Sequence, residues 1–185
     1  GVGDFTDLED LAVWSAAEHG ADYLLVNPMH AAEPVPPMEP SPYLPSSRRF
    51  AHPVYLRIER VAEDALADDD QRAKINKRRN KLMVDFDLAA PIDRDRSWKA
   101  KRKALSVLFS VPRTAGRQTS LEAYRRREGV GLQNFATWAV LAKHHGPRFP
   151  EWPEDLQHPD SPAVSHFQHD HAREIEFECW LQWLI

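Results

Sequence analysis

Tyr43 is the residue whose surroundings most favour a binding role, because prolines flank it in Ser41-Pro42-Tyr43-Leu44-Pro45. Proline fixes its own φ angle and restricts the residue before it, so these prolines hold the tyrosine in a stiff segment. Sugar rings have apolar faces formed by C–H groups, and a side chain that is already ordered loses little entropy on binding. We therefore predict that Tyr43 stacks on an apolar face of a bound ligand, of which a sugar ring is one example. The alternative is that its ring packs the segment against the rest of the domain.

Three polar residues near Tyr43 in the sequence are further candidates. Ser41 could hydrogen-bond a hydroxyl group of a ligand, or it could brace a turn. Asn27 and His30 follow a short apolar run, Tyr23–Val26, which is predicted to be a buried strand. Parallel α/β barrels place polar site residues at the carboxyl ends of such strands; for His30 a structural hydrogen bond is the alternative. The predicted substrate-binding residues are thus Tyr43, Ser41, Asn27 and His30.

The loop that carries Tyr43 is long and rich in proline. Eight of the fifteen prolines of the chain lie between Pro28 and Pro53, and residues 27–55 contain no glycine. Loops of this length inside a domain are usually functional or disordered. The loop also contains more apolar side chains than a solvated linker normally carries, which favours an ordered, functional loop.

Several motifs are distributed along almost the whole chain. They are Ser41-Pro42-Tyr43, Ser46-Ser47-Arg48-Arg49-Phe50, Pro53-Val54-Tyr55-Leu56, Ile92-Asp93-Arg94-Asp95 with Trp98-Lys99, Phe135-Ala136-Thr137-Trp138 and Cys179-Trp180-Leu181-Gln182-Trp183-Leu184. Together they resemble bacterial 4-α-glucanotransferases, also called amylomaltases, which form glycoside hydrolase family 77. The resemblance implies that Tyr43 lies at the donor glucose, next to the bond that is cleaved. Related sequences mostly carry asparagine where this chain has His52, so no role is assigned to that position.

The resemblance implies an enzyme that transfers α-1,4-glucan segments between maltooligosaccharides without a cofactor. Its mechanism would be a retaining double displacement, which requires two carboxyl groups about 5 Å apart. In the resembling family these carboxylates come from strands beyond the end of this chain. We therefore predict that the chain is an N-terminal to middle fragment that carries no catalytic residue and that needs the C-terminal part of the same polypeptide.

The resemblance also implies an α/β fold, dominated by helices: part of a (β/α)8 barrel with a largely helical insertion. Residues 1–61 would begin the barrel and residues 62–185 would form the insertion. Local patterns predict a helix capped at Thr6 and stopped by Gly20, a strand over Val54–Ile58 and a helix ending before Pro112. Further helices are predicted from Thr119 to about Gly129, from Leu132 to Gly146, and after the Ser161-Pro162 cap. The last helix has a broad apolar face around Phe177, Trp180 and Trp183, which predicts a partner surface.

Composition limits the other functions. A net charge of −4 argues against a nucleic-acid binder, and the chain has no apolar run long enough to span a membrane. The single cysteine, Cys179, fits a cytoplasmic location. The basic run Arg72–Lys81 indicates either a helical nucleic-acid module or a solvated helix face, and we predict the solvated face.

Two further alternatives concern ligands. His166, His169, Asp170 and His171 lie close together in the sequence, but a zinc site needs three or four convergent ligands, so no metal is predicted. A non-catalytic glucan-binding module that uses Tyr43 and the tryptophans is the alternative to the transferase. The expected partner is therefore a maltooligosaccharide or glucan, with no nucleic acid and no membrane.

Overall fold

The computed structural model of the protein describes residues 2–84 and 89–185, which divide into two compact units. Unit 1 comprises Gly1–Ala32 and Glu39–Pro112, and unit 2 comprises Glu33–Met38 and Arg113–Ile185. The main elements are α1 (Phe5–His19), β1 (His30–Ala31), β2 (Ser47–Ala51), α2 (Asp69–Val84), α3 (Arg94–Phe109), α4 (Ala115–His145), α5 (Pro162–Asp170) and α6 (Ala172–Trp183). Short 3-10 turns lie at Pro53–Tyr55, Ile58–Arg60, Ala62–Leu66, Phe149–Glu151 and Glu154–Leu156.

Helix α1 begins slightly earlier than predicted. Its N-cap is Asp4 instead of Thr6, because the Asp4 carboxylate accepts hydrogen bonds from the backbone N–H groups of Thr6 and Asp7. The Asp7 side chain in turn accepts from the Asp4 N–H, which completes a capping box. The predicted stop at Gly20 is confirmed, since this glycine adopts the left-handed conformation with φ 62°.

The predicted strands at Tyr23–Val26 and Val54–Ile58 are both wrong. Residues 23–26 have no regular secondary structure, and Tyr23 and Leu25 are 84% and 94% exposed. A strand needs a neighbour for its backbone hydrogen bonds, and no described residue pairs with this run. The second segment instead contains turns of 3-10 helix. Among residues 2–84 and 89–185 the only strands are β1 and β2, which pair antiparallel with an irregular register between His30 and Ala31.

The core of unit 1 is built around α2 and α3. Helix α3 is capped by the side chain of Asp93 and ends at Phe109, before Pro112, as predicted. Its face with Trp98, Leu105 and Leu108 is buried. Other buried apolar residues of this unit come from the turns and from α2, and include Val54, Leu56, Val61, Ala67 and Ile75.

Helix α4 dominates unit 2 and joins two segments that were predicted as separate helices. The first segment begins after Thr114, whose hydroxyl oxygen accepts a hydrogen bond from the Arg117 N–H, so the predicted cap at Thr119 is wrong. The predicted break near Gly129 is confirmed, because this residue has φ 59° and ψ −143° inside the helix. The predicted end at Gly146 is also confirmed.

The C-terminal part contains two helices where one was predicted. Ser161 caps α5 and Pro162 occupies its first turn as predicted, but the helix is interrupted at His171 before α6 begins. Helix α6 packs against α4, which buries Phe177, Trp180 and Cys179. The predicted open apolar face is therefore covered at Phe177 and Trp180, whereas Trp183 is only half-buried. Burial raises the pKa of the Cys179 thiol to about 11.

The fold is dominated by helices, as the sequence predicted. The boundary between the two units, after Pro112, does not coincide with the predicted boundary at residue 61. The predicted division into a barrel start and a helical insertion stays a prediction.

No described helix has both the length and the apolar character needed to cross a membrane.

Candidate functional site

The hairpin β1–β2 closes the loop that carries Tyr43. The N–H of Ser46 donates to the carbonyl of Ala31 at 2.8 Å, and the N–H of His52 donates to the carbonyl of Met29 at 3.0 Å. These bonds bring the two ends of the loop together, while the prolines stiffen the chain between them. Tyr43 therefore lies on a loop that is fixed at both ends.

Tyr43 and Asn27 are brought together by the fold. The phenol group of Tyr43 donates a hydrogen bond of 2.9 Å to Oδ1 of Asn27, although sixteen residues separate them in the chain. Most of the tyrosine is accessible to solvent, since the residue is 63% exposed. A tethered aromatic ring with an accessible face is suited to stacking on the apolar face of a sugar. Sugar binding by these two residues stays a prediction.

Ser41 makes contacts that shape the turn before Tyr43. Its Oγ accepts a hydrogen bond from the N–H of Tyr43 at 3.3 Å, and its own N–H donates to Glu39 Oε1 at 3.0 Å. This is the bracing role that the sequence left open. A hydroxyl group can donate one bond while it accepts another, so this contact is compatible with the predicted contact to a ligand.

His30 lies on β1, opposite Ala51, and its side chain is exposed. No described hydrogen bond or ring contact joins it to Tyr43. The predictions that His30 and Asn27 bind substrate rested on a strand at residues 23–26, which is not formed here. The hydrogen bond to Tyr43 gives Asn27 independent support, while His30 has no such contact and stays a prediction from the sequence.

His52, to which no role was assigned, is a structural residue of unit 1. It is 4% exposed, and its Nδ1 accepts a hydrogen bond from the N–H of Val54 at 2.9 Å. Its ring packs edge-on against Trp98, with centroids 5.1 Å apart. Burial, together with the positive charges of Arg102 and Lys101, lowers the pKa of His52 to about 4. His52 is therefore neutral at neutral pH.

An ion-pair cluster that sequence analysis did not identify holds the start of α1. Arg57 Nε lies 2.8 Å from Asp4 Oδ2, and its guanidinium also binds Asp7. Burial by itself would raise the pKa of Asp4, but the hydrogen bonds from Arg57 and from the backbone lower it overall. The partners are about fifty residues apart in the chain, so no local pattern could have revealed them.

The basic run Arg72–Lys81 lies on α2. Lys74 pairs with Asp70 one helical turn before it, which is the acid-before-base arrangement seen in the sequence. Part of this helix lines a cleft of about 540 Å³ in unit 1, whose walls carry both signs of charge. The absence of nucleic-acid binding stays a prediction.

The histidines that were considered as metal ligands are not brought together as a group. His166, His169 and Asp170 are all exposed on α5. His171 instead lies beside His144 and Glu174, with one ligand atom of each residue within 4.8 Å of the others. No local sequence pattern could reveal this set, because His144 is about thirty residues from its two partners.

The sequence and the helix-dominated fold agree with the comparison to known proteins. The chain belongs to the 4-α-glucanotransferases, glycoside hydrolase family 77, whose sequence model matches residues 1–185. It is 48% identical over 191 residues to the 4-α-glucanotransferase of Mycobacterium tuberculosis and 30% identical over 210 residues to that of Haemophilus influenzae. In both cases all of this chain is covered.

A solved structure supports the same assignment. The crystal structure of amylomaltase from Corynebacterium glutamicum matches all of this chain with a TM-score of 0.77 and 36% sequence identity. This chain covers 24% of that protein, and it covers 26% and 28% of the two transferases. The chain thus spans about a quarter of the length of the relatives that it matches.

Proposed function

We propose that the protein containing this chain is a 4-α-glucanotransferase that transfers α-1,4-glucan segments between maltooligosaccharides. The observation that supports this most strongly is the family match over the whole of residues 1–185. The enzyme would work in the cytoplasm without a cofactor, by a retaining double displacement. Such a mechanism needs a nucleophile and an acid/base, both carboxyl groups, about 5 Å apart across the scissile bond.

In this proposal the chain contributes substrate binding and the rest of the polypeptide contributes the catalytic carboxylates. Tyr43 would stack on the donor glucose, and Asn27 would orient its phenol through the 2.9 Å hydrogen bond. Ser41 fixes the backbone at Tyr43 and would offer its hydroxyl hydrogen to the sugar. His30 would contribute from the exposed face of β1.

The proposed fold of the whole protein is a (β/α)8 barrel of which this chain forms part. The similarity to the amylomaltase structure supports it. The strong exposure of Tyr23 and Leu25 is also consistent with a segment that is covered by other parts of a larger protein. In this scheme residues 1–61 begin the barrel and residues 62–185 form a helical insertion.

The proposed activity is tested by incubating the polypeptide that contains this chain with maltotriose. A glucanotransferase releases glucose and forms longer maltodextrins in the same reaction, and chromatography of the products separates them. Binding of maltooligosaccharides without any change in their length would identify a glucan-binding module instead. If the polypeptide neither bound maltooligosaccharides nor changed their length, both functions would be refuted.

A further inference from the structure

We propose that His144, His171 and Glu174 form a binding site for a divalent transition-metal ion, with Zn²⁺ as the best match. The three residues come from three places in unit 2. His144 is in the last turn of α4, His171 lies between α5 and α6, and Glu174 is in the first turn of α6. All three residues belong to unit 2, and none of them is a proposed glucan-binding residue.

The spacing of the ligand atoms fits a single ion. Glu174 Oε1 is 3.0 Å from His171 Nδ1 and 3.2 Å from His144 Nε2. Zinc lies about 2.0–2.2 Å from nitrogen and oxygen ligands, so two ligands of a tetrahedral ion are about 3.3–3.6 Å apart. Both distances to the carboxylate are a few tenths of an ångström shorter, so small side-chain movements would admit the ion. The ring of half-exposed His144 needs only a small rotation to complete the set, since all three atoms already lie within 4.8 Å.

The neighbouring side chains hold the ligands in place. The ring of Phe167 stacks on His171, with centroids 4.1 Å apart. Lys143 Nζ donates to Glu174 Oε2 at 2.6 Å, which leaves Oε1 facing the two histidines. Hydrogen bonds from the surrounding shell commonly orient metal-binding carboxylates in this way.

The ligand types select the metal. Two imidazoles and one carboxylate suit Zn²⁺, Ni²⁺ or Cu²⁺, whereas Mg²⁺ and Ca²⁺ prefer oxygen ligands only. The side chains of His144, His171 and Glu174 are 38%, 27% and 38% exposed, so an ion can enter from solvent and water can complete its coordination. A bound ion would cross-link the end of α4 to the start of α6.

The proposal is tested by titrating Zn²⁺ into the tag-free protein that contains this chain, near neutral pH, by calorimetry. Substitution of His144→Asn or Glu174→Gln is expected to weaken one binding event by more than about tenfold. His166→Asn is the matched control, because His166 is an exposed histidine on α5 outside the set. It should leave binding unchanged. Mg²⁺ and Ca²⁺ should not compete.

Substitution of Lys143 distinguishes a metal site from an ordinary ion-pair network. If the cluster binds metal, Lys143→Gln should strengthen Zn²⁺ binding, because it removes a positive charge next to the ion while the amide can still donate a hydrogen bond to Glu174 Oε2. Zn²⁺ should also raise the thermal midpoint of the unsubstituted protein but not of Glu174→Gln. Equal Zn²⁺ affinity in the unsubstituted protein and in folded His144→Asn and Glu174→Gln would overturn the proposal, as would the absence of any binding.

Discussion

At the scale of single residues, Tyr43 is the clearest test of the proposed glucan site. Tyr43→Ala in the intact protein is expected to lower turnover of maltotriose by more than tenfold, equivalent to more than about 1.4 kcal/mol of transition-state stabilisation. Tyr43→Phe keeps the ring and removes only the hydrogen bond to Asn27, so it should lose less. Product formation at several maltotriose concentrations measures both effects.

Tyr124→Ala provides the matched control for this comparison. Tyr124 lies on α4 in unit 2 and is not among the proposed substrate-binding residues, so its loss should not change turnover. Unchanged kinetics in folded Tyr43→Ala protein would show that Tyr43 is not part of the proposed glucan site.

The lowered pKa of buried His52 leads us to expect that the stability of the protein depends on pH. Its pKa is about 4 in the folded protein and about 6.5 in the unfolded chain, so between these values the unfolded state binds a proton that the folded state does not. The stability that neutral, buried His52 contributes to the folded state is therefore fully present above pH 6.5 and is lost as the pH falls towards 4. The linked change in the free energy of unfolding is about 3 kcal/mol.

The test compares urea unfolding of the unsubstituted protein and of His52→Asn across this pH range. Asparagine does not titrate, so the free energy of unfolding should fall less steeply with decreasing pH in the variant. His166→Asn, which replaces an exposed histidine, should keep the original slope. Identical slopes in all three proteins would contradict the assigned role of buried His52.

At the scale of the elements, Gly129 allows the break within α4. Its φ of 59° with ψ of −143° is a conformation that glycine tolerates and other residues rarely adopt. Gly129→Ala is expected to lower the free energy of unfolding by about 1–3 kcal/mol through backbone strain, although no atom lies within 4 Å of the added Cβ. Chemical denaturation measures the loss.

Gly116→Ala is the matched control on the same helix. Gly116 lies in the first turn of α4, does not have a positive φ and also has no atom within 4 Å of an added Cβ. Alanine should therefore stabilise the helix, by up to about 1 kcal/mol. A stabilising Gly129→Ala substitution would show that the break does not require glycine.

Helices were predicted from the sequence better than strands, and the reason is physical. Helix ends depend on nearby residues, so Gly20, Gly129 and Gly146 were all correctly identified as stops or breaks. A strand depends on a neighbour that can be distant in the chain or absent from it. The apolar run Tyr23–Val26 is therefore strand-like in sequence but has no strand structure here.

The same reasoning applies to the candidate sites. The stiff Tyr43 loop could be predicted because its prolines lie close together in the sequence. The hydrogen bond between Tyr43 and Asn27, the pairing of Arg57 with Asp4, and the contact of Glu174 with His144 all join residues that are far apart in the chain. Such contacts depend on how the helices and turns pack, which no local pattern encodes.

At the scale of the whole molecule, we expect the 185-residue chain alone to have no glucanotransferase activity. A closed barrel needs eight parallel strands, whereas the two strands among the described residues are short and antiparallel. The proposed mechanism also requires two carboxylates that the family resemblance places outside residues 1–185. The chain should therefore neither release glucose from maltotriose nor form longer products.

The longer polypeptide should do both under the same conditions, and chromatography of the two reactions measures the difference. The partner surface predicted around Phe177, Trp180 and Trp183 is reduced, because the first two residues are buried and Trp183 is only half-buried. Loss of activity must therefore be shown on folded chain, by circular dichroism of its helices. If the folded chain redistributed glucose units at a rate near that of the longer protein, the catalytic carboxylates would have to lie within these 185 residues.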